Sequence, residues 1–148
     1  NIQHLIWRSS KMLLTQDKDG DLYELNPENG NAEKIASDAV ATFVSLDGEK
    51  IAVLEHSSLE IFGATEKEYR RFALPDTATV MGLEWHEDNE HLLVRYPSTV
   101  RILDMSDSGL ENFVPVVGAY RSVAYIPQEN RLYVVHTDGT VNALEFSK

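Results

Sequence analysis

The sequence predicts an all-β protein that repeats a unit of about forty residues four times. In each unit an apolar triplet follows a polar turn, and the triplets start 39, 41 and 40 residues apart, at Met12, Ile51, Leu92 and Leu132. An alternating segment follows each triplet, and period-two alternation is typical of a strand with unlike faces. These segments are Leu22–Leu25, Leu59–Phe62, Val100–Leu103 and Val141–Leu144. An α-solenoid would need helical periodicity instead.

Two further strands complete the unit. First strands are expected at residues 2–7, 41–46, 81–85 and 121–126, and weaker fourth strands near residues 33–35, 71–74 and 112–114. Four-stranded blades bury their faces by stacking around an axis. We therefore predict a β-propeller, a single domain over 1–148 with repeats at about 1–39, 40–78, 79–119 and 120–148. The last repeat leaves no room for a fourth strand. Two arrangements are open, a nearly closed four-bladed ring and part of a larger propeller, and we favour the second.

Composition narrows the classes of partner. The net charge of -11 disfavours nucleic acid and anionic membranes, because both would be repelled at long range. No apolar run approaches the roughly 20 residues needed to span a bilayer, so direct membrane insertion is not expected. The chain has no cysteine, which excludes disulfides, cysteine nucleophiles and thiolate metal sites. The compartment is left open.

Two motifs resemble known propeller repeats. The segment Ser45–Val53 (SLDGEKIAV) resembles the signature of TolB-like, WD40-like repeats. Asp19–Asn26 (DGDLYELN) and Thr137–Glu145 (TDGTVNALE) resemble a segment of quinoprotein-like repeats. The Gly-His and Trp-Asp dipeptides of true WD40 repeats are missing, as are the tryptophan docking motifs of quinoprotein dehydrogenases. The resemblance implies a rigid platform for protein, peptide or glycan partners, with no cofactor and no catalytic residue carried over.

The acidic segment near residue 20 permits two interpretations. Asp17, Asp19 and Asp21 match positions 1, 3 and 5 of a calcium loop, and Glu28 matches position 12. Position 6 is Leu22 rather than the glycine that the loop requires. Asp19-Gly20 is also an ordinary hairpin turn, as Asp138-Gly139 is in the last repeat. We expect the turn, and we keep Ca²⁺ binding by the four acidic residues as the alternative.

Candidate interaction residues are tyrosines near strand ends and histidines at equivalent repeat positions: Tyr69, Tyr96, Tyr120, His56 and His136. Tyrosine often anchors interfaces. Trp7 and Trp85 occupy matching places late in a first strand, so core packing is expected for both. His86 and His91 enclose an acidic turn that could hold zinc, but a solvated turn is the favoured interpretation.

We predict a non-catalytic scaffold that binds a protein or peptide partner, with self-association or completion by further blades as one form of that binding. No Gly-x-Ser-x-Gly nucleophile motif and no phosphate-binding glycine loop is present, so enzymatic activity is not expected. Two alternatives stay open, a sensor that binds a ligand or cation and an accessory domain of a larger enzyme.

Overall fold

The structure, a computed structural model, describes residues 2–9, 12–63, 69–76, 79–105 and 113–146. These residues form fifteen strands in four antiparallel sheets, and each sheet contains consecutive strands in chain order. The predicted all-β fold, with four antiparallel sheets that match the blades of a β-propeller, is confirmed. The chain divides into two compact units, residues 1–78 and residues 79–148, with two sheets each. In the described part of the chain, no helix is long and apolar enough to cross a membrane.

The first unit contains strands β1 to β8. The first sheet consists of β1 (Ile2–Trp7), β2 (Leu13–Asp17), β3 (Leu22–Leu25) and β4 (Ala32–Ala36). The second consists of β5 (Ala41–Val44), β6 (Ile51–Leu54), β7 (Leu59–Phe62) and β8 (Arg70–Phe72). Leu14 and Leu22 of the first sheet pack in one buried cluster with Ile51 and Val53 of the second. Burying each such side chain stabilises the fold by about 1.5–3 kcal/mol.

The second unit contains strands β9 to β15. The third sheet consists of β9 (Gly82–Trp85), β10 (His91–Arg95), β11 (Thr99–Asp104) and β12 (Phe113–Gly118). The fourth has three strands among the described residues, β13 (Tyr120–Ile126), β14 (Arg131–His136) and β15 (Val141–Glu145). Leu93, Val100 and Val117 of the third sheet form a buried cluster with Leu132 and Val134 of the fourth.

Short connections shape both units. Only Ala119 separates β12 from β13; it has a φ of 53°, and its N–H donates to the carbonyl of Ser98 at 2.8 Å. The Asp19-Gly20 and Asp138-Gly139 pairs form the β2–β3 and β14–β15 turns, as expected from the sequence. Asn112, included in one expected fourth strand, lies outside the described residues.

Candidate functional site

The acidic segment Asp17–Asp21 forms the β2–β3 hairpin turn. The Oδ1 atom of Asp17 accepts the N–H groups of Asp19 and Asp21 at 2.9 and 3.0 Å. The Oδ2 atom of Asp21 lies 2.6 Å from the Lys34 ammonium, and the Lys18 ammonium lies 2.6 Å from Asp19. Backbone amides and lysines therefore already satisfy these carboxylates.

Glu28 does not join these aspartates. It lies in the β3–β4 turn, whereas the three aspartates lie at the opposite end of β3. Four residues of strand separate the two ends, which is a distance of roughly 13 Å. The alternative of a calcium loop formed by all four acidic residues therefore lacks its fourth ligand, because the chain continues as a strand after Asp21 instead of closing a loop. Cation binding by the three aspartates alone stays a prediction.

The tyrosines differ in exposure. Tyr69 is 45% exposed, and its hydroxyl donates to Glu60 Oε1 at 2.7 Å. Burial and the hydrogen bond to Glu60 raise the pKa of Tyr69. Tyr120 is half-buried, its hydroxyl donates to the carbonyl of Tyr96, and burial raises its pKa. An interface role for Tyr69 and Tyr120 stays a prediction.

Tyr96 is not a surface residue. It is only 6% exposed, and its ring packs edge-on against Phe113 at 6.2 Å between centroids. Of the three candidate tyrosines, Tyr96 is thus the one whose side chain packs within its own sheet. Tyr96 directly follows β10, and its ring packs against Phe113, the first residue of β12, which lies two strands away in the same sheet.

The two candidate histidines lie near the surface. His56 is exposed in the turn after β6, and the half-buried His136 ends β14. The Nε2 atom of His136 lies 3.1 Å from the Asn142 amide nitrogen on β15. Their involvement in partner binding stays a prediction.

The matched tryptophans have different environments. Trp85 is 5% exposed, as expected, but Trp7 is 60% exposed, and Leu5 on the same face of β1 is 57% exposed. Core packing of Trp7 was expected from its repeat position, and that expectation is wrong. A repeat position fixes the direction of a side chain within its sheet, but it does not supply the neighbouring sheet that would cover it.

The sheet β13–β15 has one packed face and one open face. Tyr125, Leu132 and Val134 point into the core, so the alternate residues point away from it. We call this second side the outward face; the strand register assigns to it Ser122, Ala124, Ile126, Arg131, Tyr133, Val135, Val141, Ala143 and Glu145. Every residue of β15 is exposed, Val141 at 63%. The two charged members, Arg131 and Glu145, lie opposite each other with 3.4 Å between their charged atoms.

The β9–β10 turn brings together two histidines and a carboxylate. The Oδ2 atom of Asp88 lies 2.9 Å from His86 Nδ1 and 2.8 Å from His91 Nδ1. Possible ligand atoms of all three residues fall within 4.8 Å of one another. His86 is only 7% exposed, whereas Asp88 and His91 reach solvent. The solvated turn favoured from the sequence describes Asp88 and His91, but not His86, which is buried.

The electrostatics of this turn favour an ionised carboxylate. Burial alone would raise the pKa of Asp88, but hydrogen bonds from the Glu90 N–H and from the two imidazoles outweigh it and lower the pKa to about 2. Sequence reasoning identified His86, Asp88 and His91 as neighbours but missed Tyr125 and Phe146, which contact the His86 ring from the end of the chain. No local motif signals these two contacts.

Comparison with solved structures shows which known fold the chain resembles. No family model and no curated protein sequence matches this chain. Among solved structures, the C-terminal WD40 domain of Sif2 matches with a TM-score of 0.63 and 15% identity over 98% of this chain. The N-terminal domain of Nup159 matches with a TM-score of 0.65 and 14% identity over 99% of it. The fold is that of a WD40-like β-propeller.

The matched structures are longer than this chain. This chain spans 43% of the Sif2 chain and 41% of the Nup159 chain. The extracellular domain of the putative one component system BT4673 from B. thetaiotaomicron matches with a TM-score of 0.64 and 11% identity, over 96% of this chain and 19% of that one. At these identities the likeness establishes the fold alone. TolB-like and quinoprotein-like character stays a prediction.

Proposed function

We propose that this chain is a non-catalytic protein-interaction module whose docking surface is the outward face of the β13–β15 sheet. The observation that carries the proposal is a sheet packed on one side and open on the other, with all of β15 exposed. An exposed strand at the edge of a sheet commonly associates with another chain, because its backbone groups and side chains are open to a partner. The absence of a catalytic sequence motif supports a binding role over catalysis.

The chemistry of the outward face favours another β-sheet as its partner. It combines small residues such as Ser122, Ala124 and Ala143 with the larger apolar side chains of Tyr133, Val135 and Val141. Sheets that bury such faces pack against each other about 10 Å apart. Because Arg131 and Glu145 pair with each other, the face presents no unmatched charge that would repel an apolar partner.

A second copy of the chain is the partner that best fits the outward face. The first sheet offers a matching apolar surface, where Leu5 and Trp7 are exposed on β1. The chain also spans less than half of the Sif2 and Nup159 chains, so two copies together would provide a number of blades closer to theirs. Propeller blades bury their faces against neighbouring blades. Further blades of a longer parent protein would use the same two surfaces.

Light scattering across a concentration series tests this proposal. We expect the mass of the wild-type chain to rise toward twice that of one chain. Ala143→Glu places a charge on the outward face and should keep the chain monomeric at the same concentrations. Asn142→Glu is the matched control, since Asn142 is exposed on the opposite side of the same strand. A wild-type chain that stays monomeric at every concentration would contradict binding of a second copy.

A further inference from the structure

We propose that the β9–β10 turn is a binding site for a divalent transition metal of the zinc class, with His86 Nδ1, His91 Nδ1 and Asp88 Oδ2 as its ligands. Two imidazole nitrogens and one carboxylate oxygen form a donor set that zinc accepts, with a fourth position left for water. The Asp88 Oδ2 atom already contacts both imidazoles, at 2.9 Å from His86 Nδ1 and 2.8 Å from His91 Nδ1.

The spacing of these atoms is close to that of a metal site. Ligand atoms about 2.0–2.1 Å from a tetrahedral zinc lie roughly 3.3 Å apart. The two separations measured from Asp88 Oδ2 are shorter than this by about half an ångström, which small side-chain rotations supply. Asp88 and His91 have side chains 38% and 32% exposed, so an ion can enter from solvent without opening the core.

Aromatic packing fixes the His86 ligand. Its ring stacks on Tyr125 at 5.7 Å between centroids and meets Phe146 edge-on at 5.2 Å. Within the described residues its Nε2 atom is buried and has no hydrogen-bond partner. Nδ1 is therefore the nitrogen directed at the polar turn. A ligand held in place by packing loses little freedom on binding, which favours affinity.

The turn backbone fixes the other two ligands. The Oδ1 atom of Asp88 accepts the N–H groups of Glu90 and His91 at 2.8 and 3.0 Å, which directs Oδ2 toward the two imidazoles. The Nε2 atom of His91 lies 3.8 Å from Asp104 Oδ1. Carboxylates on the far nitrogen of a ligating histidine commonly orient the ring and raise its basicity. At 3.8 Å the Asp104 carboxylate is a neighbour of the ring beyond hydrogen-bond distance, and a small movement of the ring would bring the two into contact.

Direct titration tests the site. Zn²⁺ added to the full chain in a calorimeter should bind with a stoichiometry of one. His91→Lys, which installs the residue found at the equivalent place of the β5–β6 turn, should weaken binding by about tenfold or more. Asp88→Asn should also weaken it, because an amide keeps the turn hydrogen bond but loses the carboxylate. His56→Gln, in the turn after β6, is the control and should bind Zn²⁺ as the wild type does.

Two further measurements make the result decisive. Circular dichroism melts should show that His91→Lys and Asp88→Asn fold like the wild type, so that a loss of binding is not a loss of structure. Nitrogen NMR should show metal-dependent shifts at Nδ1 of His86 and His91. The proposal is overturned if the wild type gives no saturable heat, if folded His91→Lys binds as tightly as the wild type, or if His56→Gln abolishes binding.

Discussion

The β5–β6 turn and the β9–β10 turn share one backbone design in two different settings. In the first, the N–H of Ser45 donates to the carbonyl of Lys50 at 2.9 Å; in the second, the N–H of His86 donates to the carbonyl of His91 at 3.0 Å. An aspartate at the third position of each turn accepts an amide two residues later, at 2.9 and 2.8 Å. The aspartate is thus part of the turn itself, and the flanking side chains decide what else the turn does.

Each turn is anchored by a different neighbouring strand or loop. Arg8, just after β1, donates to the carbonyls of Gly48 and Glu49 at 3.1 and 2.7 Å and pairs with Glu24. The β9–β10 turn instead receives Tyr125 of β13, whose hydroxyl accepts the N–H of Glu87 at 3.3 Å. A charged, half-buried anchor holds the first turn, whereas a single neutral hydrogen bond and ring stacking hold the second. The Arg8 guanidinium therefore holds the first turn, whereas Tyr125 and the aromatic packing on His86 hold the second.

Gly48→Ala should give the largest difference in stability between the β5–β6 turn and the β9–β10 turn. A Cβ on Gly48 would lie 2.3 Å from the carbonyl oxygen of Arg8, and Gly48 has a φ of +77° that L residues rarely adopt. We expect a loss of about 3 kcal/mol or more in the free energy of unfolding. Asn89→Gly, at the matching place of the other turn, should change it by about 1 kcal/mol or less, because glycine adopts the φ of 55° freely. Urea unfolding of both variants measures the difference, and equal effects would contradict it.

Substituting Arg8 and Tyr125, the residues that anchor the two turns, should give the next largest loss of stability. Arg8→Met keeps much of the side-chain volume but leaves Glu24 and the carbonyls of Gly48, Glu49 and Gly63 without the Arg8 donor, so we expect a loss of about 2–3 kcal/mol. Tyr125→Phe keeps the stacking on His86 but removes two hydrogen bonds, the one accepted from the Glu87 N–H and the one donated to Asn130 Oδ1, so a loss of about 1–2 kcal/mol is expected. Thermal unfolding of the two variants in parallel checks the order. A larger loss for Tyr125→Phe would show that the second turn is the more tightly held.

Acid should affect the β5–β6 turn through Asp47, with the smallest effect of the three. Burial tends to raise the pKa of Asp47, but hydrogen bonds from Ser45 and Glu49 lower it below its usual 3.8. A lowered pKa stabilises the folded state above pH 3.8, and this contribution is lost as the pH falls through the folded-state pKa. The difference in unfolding free energy between the wild type and Asp47→Asn should therefore be constant at neutral pH and shrink toward pH 3. A difference that does not change with pH would contradict this.

Sequence reasoning predicted the strands because their signals are local. Alternation placed the third strands at Leu22–Leu25 and Leu59–Phe62, where the structure has β3 and β7. Turn residues such as Asp19-Gly20 also marked a hairpin without any knowledge of distant residues. Both signals depend on contacts between residues that are close in the chain, and such contacts can be predicted from a single sequence.

The environment of single side chains was not predictable in the same way. Trp7 and Trp85 have the same repeat position, yet only Trp85 is covered. His86 looked like a loop residue because Tyr125 and Phe146, which bury its ring, lie far along the chain. Glu28 matched a spacing rule for calcium loops, but the strand that starts at Leu22 carries it away from the aspartates. Such outcomes depend on which sheets meet, and periodicity carries no information about that.

The one-residue connection at Ala119 has a consequence for how the second unit opens. A linker of a single residue gives β12 and β13 no slack, so neither strand can detach without pulling on the other. Local fluctuations should then be suppressed in favour of one concerted opening of both sheets. Amide hydrogen exchange should give the same opening free energy for Val117 and Val134, although they belong to different sheets. Inserting Gly-Ser-Gly after Ala119 should uncouple the two values.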